Sequence, residues 1–129
     1  MATDFFETCK SGTVSDIKAA LAAGASLSER NEFDRTAIMC VAGNNPDEAV
    51  LAALLAAGAS VNEVNKNGKT PLMLAAAYNQ NPAITLTLLA AGADAKAKDA
   101  AGKSVLEYAA ENAVLKGTAA LETLGRACH

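Results

Sequence analysis

The sequence predicts an all-α fold, a solenoid of stacked helix–turn–helix pairs. The main observation is a period of 34 residues, shared by glycines that would end helices and hydroxyl residues that would begin them. These positions are Gly24, Gly58 and Gly92 for the ends and Thr36, Thr70 and Ser104 for the beginnings. A fixed period in this range is typical of repeat arrays. Composition agrees, because 51% of the residues are apolar but only 4% are aromatic, which suits small side chains between close helices.

The clearest copy of the repeat covers residues 65–97. It contains a polar turn, an apolar run that begins at Thr70, a second turn at Asn81-Pro82, another apolar run and a glycine. Threonine is a common N-cap, and glycine ends a helix because it adopts the left-handed conformation without steric penalty. We therefore predict one domain, 1–129, made of four units. Their approximate bounds are 1–30 (N-terminal cap), 31–64, 65–98 and 99–129 (C-terminal cap).

The two terminal units depart from this pattern. In the first we expect helices over residues 3–11, with Thr3 as N-cap, and over residues 14–23. In the fourth, residues 111–116 are expected to extend the helix that begins after Ser104, before a last helix starts near Gly117. Terminal repeats of a solenoid are commonly atypical.

The second unit should contain two helices with standard N-terminal signals. Thr36 is expected to cap a helix over residues 37–43. Asn45 is expected to cap the next one, with Pro46 at its first position and acidic residues in its first turn.

Charge and composition limit the classes of function. The formal net charge of -3 and the pI near 5.1 argue against general nucleic-acid binding, which needs a basic face. No apolar run approaches the roughly 18 residues of a membrane helix, so we expect no membrane association. Three cysteines without a CxxC pair predict no disulfide framework and fit a reducing compartment. The N-terminus has no signal-peptide layout, which indicates a cytoplasmic protein or a chain from which a signal has been removed.

Catalytic and metal sites are not expected. The only histidine is the last residue, His129, so no serine, cysteine or threonine has a plausible base. The three cysteines fall on different units, which disfavours metal ligation. The glycines occur at helix ends and turns rather than in a phosphate-binding loop. The sequence predicts that the protein is not an enzyme and uses no cofactor or metal.

The segment TPLMLAAA (residues 70–77), followed by LLAAGAD (residues 88–94), closely resembles the ankyrin repeat, whose signature is T-P-L-H-x-A. The Asn-Pro turn between the helices resembles the pattern of bacterial ankyrin proteins. The resemblance implies an all-α ankyrin-repeat solenoid whose turns project as fingers, here residues 31–35, 65–69 and 99–103. The histidine of the signature is absent, with Met39 and Met73 in two of its places, which implies that the fingers are held less firmly.

The resemblance also implies a concave groove, formed by the fingers and the ends of the inner helices, that binds a partner protein. Carried over by position, its residues here are Glu32, Phe33, Arg35, Lys66, Asn67, Lys69, Tyr78, Ala101, Lys103 and Glu111. Phe33 is either an exposed anchor or folded onto the next finger, and Tyr78 either faces the groove or packs beside Met73. The lysines of the last two fingers form either a solvated mixed-charge face or an edge that attracts an acidic partner.

The predicted function is therefore a non-catalytic protein–protein interaction module, monomeric and without cofactor. The alternative, which would use the same surface, is a dedicated inhibitor or immunity protein that blocks one toxin or enzyme.

Overall fold

Helices dominate the computed structural model of the chain, which describes residues 5–27, 30, 34–79 and 81–112. Within those ranges the helices are α1 Phe5–Ser11, α2 Val14–Ala22, α3 Ala37–Asn44, α4 Glu48–Ala56, α5 Pro71–Tyr78, α6 Pro82–Ala90 and α7 Val105–Glu111. The described part contains no strand, and its β-type pairing is an isolated antiparallel bridge between Lys98 and Ser104. The all-α prediction is confirmed.

The helices form two layers. The inner layer is α1, α3, α5 and α7, stacked side by side in that order, and the outer layer is α2, α4 and α6. The core lies between the layers. In α3, Ala37 to Gly43 are all buried, because this helix has a neighbour on each side and the outer layer behind it. The small residues among them, such as Ala42 and Gly43, let the helices approach closely.

Helix beginnings follow the predicted capping chemistry in most units. The Thr70 hydroxyl accepts a hydrogen bond from Met73 N at 3.2 Å, and the Ser104 hydroxyl accepts one from Glu107 N at 3.2 Å. Thr36 differs. It holds the N-cap position of α3, but its hydroxyl caps nothing and, although buried, has no hydrogen-bond partner among the described residues. Thr36 is therefore the N-cap by position, as predicted, but its hydroxyl makes no capping hydrogen bond.

The predicted start of α4 is wrong. Asp47, rather than Asn45, is the N-cap, and its carboxylate accepts from Ala49 N at 2.9 Å. Pro46 lies before the helix, which begins at Glu48. The Asn45 side chain is buried and donates to the carbonyls of Cys9 and Gly12, both at 3.1 Å, so it serves the neighbouring unit instead. The second helix of the third unit, α6, begins at the predicted Asn81-Pro82 turn, with Asn81 as N-cap and Pro82 as its first residue.

The predicted extension of the last inner helix is a second error. α7 ends at Glu111, because Asn112 has extended backbone (φ -85, ψ 111). In the first unit α2 ends one residue earlier than predicted, with Ala23 as C-cap. Thr3 and the helix expected after Gly117 lie outside the described residues.

The predicted glycine ends are confirmed. Gly24, Gly58 and Gly92 have φ of 99°, 101° and 99°, the left-handed conformation that ends a helix. After each, the next residue's N–H bonds back to a carbonyl of the last helical turn, as from Ala93 N to Leu88 O at 3.0 Å. The outer helices α2, α4 and α6 therefore end with the same geometry.

Candidate functional site

Two fingers of the array share one construction. The fingers are numbered by unit, so residues 31–35, 65–69 and 99–103 are the second, third and fourth fingers. In the third finger, Asn65 Oδ1 accepts hydrogen bonds from the N–H groups of Asn67 and Lys69, at 2.9 and 3.0 Å. In the fourth, Asp99 Oδ1 accepts from Ala101 N and Lys103 N, both at 2.9 Å. A short side chain with an oxygen acceptor closes such a turn on its own backbone, which explains Asn or Asp at these positions. The finger residues are thus presented on a defined loop.

Neighbouring fingers touch through their backbones. Ala100 N donates to Asn67 O at 2.8 Å. Gly68 lies at the contact with φ 76°, and a Cβ built there would lie 2.8 Å from Ala100 N. Glycine is therefore required at residue 68 for both its conformation and the close approach.

A side chain joins the segments that lead into the second and third fingers. Arg30 donates from Nη1 to Val64 O at 2.9 Å, and its Nη2 lies 2.7 Å from Glu63 Oε2. Asp34 has φ 59° and occupies the position at which the next finger has Gly68. Two predicted site residues, Glu32 and Phe33, lie outside the described residues.

An open depression of about 450 Å³ lies beside the second unit. Arg35, Gly43, Asn44, Pro46 and Tyr78 line it. The structure thus brings together Arg35, at the start of α3, and Tyr78, at the end of the next inner helix. The Tyr78 side chain is 54% exposed and is one of two exposed large apolar side chains in the described part, with Val64. Such a ring at a concave surface is an available contact.

A second group of predicted residues meets around Tyr108. The Tyr108 hydroxyl donates to Asp99 Oδ2. Lys103 Nζ and Lys69 Nζ lie 4.6 and 5.6 Å from the ring centroid, within the range of cation–π contacts. Lys103 Nζ also pairs with Glu111 Oε1 at 2.6 Å. Three residues predicted separately therefore form one cluster.

Protonation in this cluster favours the observed hydrogen bond. Burial, and then the bond and charge of Asp99, raise the pKa of Tyr108 to about 12. The bond from Tyr108, followed by the Lys103 N–H, holds the pKa of the Asp99 carboxyl below its usual value. The phenol is thus a donor and the carboxylate an acceptor at neutral pH.

The other predicted groove residues are exposed on the fingers. Lys66, Asn67 and Ala101 are exposed, and neither Lys66 nor Lys69 has an ion-pair partner within residues 5–27, 30, 34–79 and 81–112. Sequence reasoning missed Tyr108. The 34-residue period contained a signal, because Tyr108 takes the place that Cys40 and Leu74 hold in the two preceding units. Both of those side chains are fully buried.

Sequence reasoning also missed a row of asparagines at the ends of the inner helices. Asn79 Nδ2 donates to the carbonyls of Ala42 at 2.7 Å and Asn45 at 3.0 Å. Asn45 makes the corresponding bonds to the first unit, and Asn112 Nδ2 donates to Ala76 O at 2.9 Å. We call Asn45, Asn79 and Asn112 the asparagine row. It fastens each inner helix to the one before it, at the end opposite the fingers.

Reactive and metal-binding groups are few in the described ranges. Cys9 and Cys40 are fully buried thiols that form no disulfide bond. No group of three or more His, Cys, Asp or Glu side chains among the residues the structure describes could hold a metal ion. None of the described helices combines the length and apolar character needed to cross a membrane.

Comparison with known families agrees with this geometry. The family model for ankyrin repeats, in three copies, matches residues 5–99 and again residues 50–124. No curated protein sequence matches the chain significantly. Ankyrin repeats are generally protein–protein interaction modules and typically non-catalytic. With most of its length matched and its helices stacked in two layers, the chain belongs to the ankyrin repeat family.

Proposed function

We propose that this chain is a non-catalytic module that binds a partner protein through its concave surface, without a cofactor. The concave surface is formed by the fingers and the ends of the inner helices. Its contact residues are Glu32, Phe33, Arg35, Lys66, Asn67, Lys69, Tyr78, Ala101, Lys103 and Glu111. The observation that carries the proposal is the depression between Arg35 and Tyr78, where an exposed ring and a guanidinium from two units face one opening.

Preorganisation supports this function. The fingers are joined by the bond from Ala100 N to Asn67 O, and the opposite ends of the inner helices by the asparagine row. A surface held at both edges loses little conformational entropy when it binds, so more of the contact energy appears as affinity.

The charge distribution supports a partner with an acidic patch. The whole chain has a net charge of -3, yet the third finger presents Lys66 and Lys69, neither of which has an ion pair within the described ranges. Lys103 of the fourth finger is paired with Glu111. The nearby acids Asp99 and Glu111 are engaged with Tyr108 and Lys103. A basic edge on an acidic protein steers an acidic partner to that edge and disfavours basic ones.

The test is affinity capture followed by a binding measurement. The wild type and a Phe33→Ala/Lys66→Glu/Tyr78→Ala variant are used as bait, and captured proteins are identified by mass spectrometry. Calorimetry with the purified partner should show at least a tenfold weaker Kd for the variant, about 1.4 kcal/mol. Lys18→Glu, on the exposed face of α2, is the control and should bind like the wild type. Equal affinity of the wild type and the triple variant would refute the groove assignment.

The same experiment addresses the inhibitor alternative. A dedicated inhibitor would capture a single enzyme or toxin very tightly and abolish its activity at equimolar concentration. An adaptor would capture its partner without loss of that partner's activity.

A further inference from the structure

We propose that the third finger is a site of spontaneous covalent modification. The main-chain nitrogen of Gly68 attacks the side-chain carbonyl carbon of Asn67, which loses its amide nitrogen as ammonia and ends as aspartate or isoaspartate. The reaction needs only the chain and water, so the inference goes beyond the proposed function and does not depend on it.

The carboxamide of Asn67 is less restrained than those of the other described asparagines. It is exposed and makes no hydrogen bond within residues 5–27, 30, 34–79 and 81–112. The asparagine row and Asn44, Asn62, Asn65 and Asn81 all have side chains fixed by at least one hydrogen bond. A bonded carboxamide must first break those bonds, whereas the carboxamide of Asn67 turns toward the following nitrogen without that cost.

The residue after Asn67 supplies an unhindered nucleophile. Gly68 has no Cβ, so no side chain shields its nitrogen from the carboxamide of the preceding residue. Asn67 is the only asparagine in the sequence that precedes a glycine. Because the nucleophile and the carbonyl belong to adjacent residues, the attack closes a small imide ring, and such intramolecular steps have a high effective concentration.

Two lysines place positive charge beside the reacting groups. Lys66 and Lys69 flank the Asn67-Gly68 pair, and neither has an ion-pair partner in the part of the chain that the structure describes. The main-chain N–H of Gly68 gives its proton to solvent during the attack, and the attacked carbonyl becomes an oxyanion. Nearby cations stabilise these negative charges, as they favour the charged form of any acid.

One hydrogen bond opposes the reaction in the closed finger. Gly68 N donates to Asn65 O at 2.9 Å, so the attack requires a transient opening of this bond. The bond belongs to a surface loop, and such loops open locally at a low cost in free energy. The folded finger therefore slows the reaction relative to a free peptide but does not prevent it.

The atoms balance with water as the only co-reactant. Ring closure forms the bond between Gly68 N and Asn67 Cγ and expels ammonia, and water then opens either carbonyl of the ring. Opening at the side-chain carbonyl restores the normal main chain with aspartate in place of asparagine. Opening at the main-chain carbonyl gives isoaspartate, in which the main chain runs through the former side chain and is one bond longer.

Isoaspartate would disrupt the contact between the third and fourth fingers. Asn67 O accepts from Ala100 N at 2.8 Å, and a Cβ built on Gly68 would already lie 2.8 Å from the same nitrogen. An extra main-chain bond between residues 67 and 68 moves at least one of these groups away from Ala100. The new carboxylate also offsets one of the flanking lysine charges.

Timed incubation of the full-length chain in mildly alkaline buffer tests the inference. Cleavage after glutamate, kept short and at acidic pH, releases the fragment of residues 64–107, which contains Asn67 together with Asn65, Asn79 and Asn81 as internal controls. Mass spectrometry with fragmentation gives the rate at each asparagine, and an isoaspartyl methyltransferase with a labelled methyl donor marks the isoaspartate. Asn67→Gln is the matched control, because its exposed amide would have to close a larger ring.

Asn67 should be modified at least tenfold faster than any of the three internal controls, and the methyl label should enter the wild type but not Asn67→Gln. A synthetic peptide of residues 64–70 should react faster than the folded chain, because it lacks the closed turn. The isoaspartate form of the protein should unfold at a lower temperature than Asn67→Asp, which carries the added charge without the longer main chain.

Two outcomes would overturn the inference. One is a rate at Asn67 no greater than the rates at the internal controls, and the other is equal methyl label in the wild type and Asn67→Gln. An isoaspartate form as stable as Asn67→Asp would overturn the expected loss of the contact with Ala100. The proposed function stands or falls separately, because it is tested by affinity for a captured protein.

Discussion

Replacing Asn79 with alanine would test how the inner helices are held together. The Asn79 side chain is 2% exposed and makes three well-formed hydrogen bonds. It donates to Ala42 O at 2.7 Å and to Asn45 O at 3.0 Å, and it accepts from Asn81 N at 2.9 Å. A fourth contact, to Val41 O at 3.4 Å, is weak.

The magnitude follows from the three bonds. Each contributes about 1 kcal/mol net, and removal of the side chain leaves buried carbonyls without a donor, so the loss is about 3 kcal/mol. Single domains have a free energy of unfolding of roughly 5–15 kcal/mol, and we expect an array of few units to lie near the lower end. For a chain of this size the melting temperature should fall by roughly 10 °C.

Urea unfolding followed by circular dichroism measures the effect, with two matched asparagine variants beside it. Asn112→Ala removes two bonds, of 2.9 and 3.3 Å, from a half-buried side chain and should lose about 1–2 kcal/mol. Asn67→Ala changes an exposed finger residue and should stay within about 0.5 kcal/mol of the wild type. If Asn79→Ala lost no more than Asn67→Ala, the asparagine row would not be what fastens the inner helices.

Three further predictions concern the fingers and the Tyr108 cluster. Gly68→Ala should destabilise the protein by more than about 2 kcal/mol in urea unfolding. Gly102 also has a positive φ, of 81°, but a Cβ built there meets nothing within 4 Å, so Gly102→Ala should lose only about 1 kcal/mol. Equal losses would mean that the contact with Ala100 is unimportant. Asp34→Gly should raise the free energy of unfolding by about 0.5 kcal/mol. The gain comes from removing the steric cost of the left-handed conformation at Asp34, and it outweighs the conformational entropy that glycine loses on folding and the lost surface contact of 3.5 Å to Arg30. A loss of stability would contradict this. In the Tyr78→Phe variant Tyr108 is the only tyrosine, so ultraviolet titration should give a midpoint well above 10, even though the minor contribution of Tyr78 to the shift is removed. Because the pKa of Tyr108 is raised on folding, to about 12 in the wild type, the stability that it adds is complete below pH 10 and is lost as the pH rises through 12.

Local chemistry made much of the fold predictable. Thr70, Ser104 and Asn81 cap their helices as expected, and Gly24, Gly58 and Gly92 end them, because caps and left-handed glycines depend on a few neighbouring residues. The period then places similar units side by side. The family assignment follows from the same pattern, and the family comparison confirms it.

The wrong start predicted for α4 arises because a side chain serves a different unit. Asn45 precedes a proline and looks like a cap, but its amide reaches Cys9 and Gly12 in the unit before it. Comparison with the third unit shows the correct register, since Asn79 corresponds to Asn45 and Asn81 to Asp47 along the 34-residue period. Distances across units are not encoded in local spacing.

The candidate site was likewise predictable in its residues but not in the contacts between units. Its residues were selected by position in the repeat, and the contact role of each stays a prediction. That Arg35 and Tyr78 share one opening, and that Lys69, Lys103 and Glu111 converge on Tyr108, depends on how far successive units rotate and slide. The sequence contains no direct record of that rotation.

The asparagine row has a consequence for how such arrays lengthen during evolution. Its donors are side chains, but its acceptors are main-chain carbonyls, which every residue possesses whatever its side chain. A duplicated unit therefore carries its own donor and offers acceptors to the following copy without any matched pair of mutations. The side chains of a new copy are then free to diverge toward a new target while the joint between copies is inherited intact.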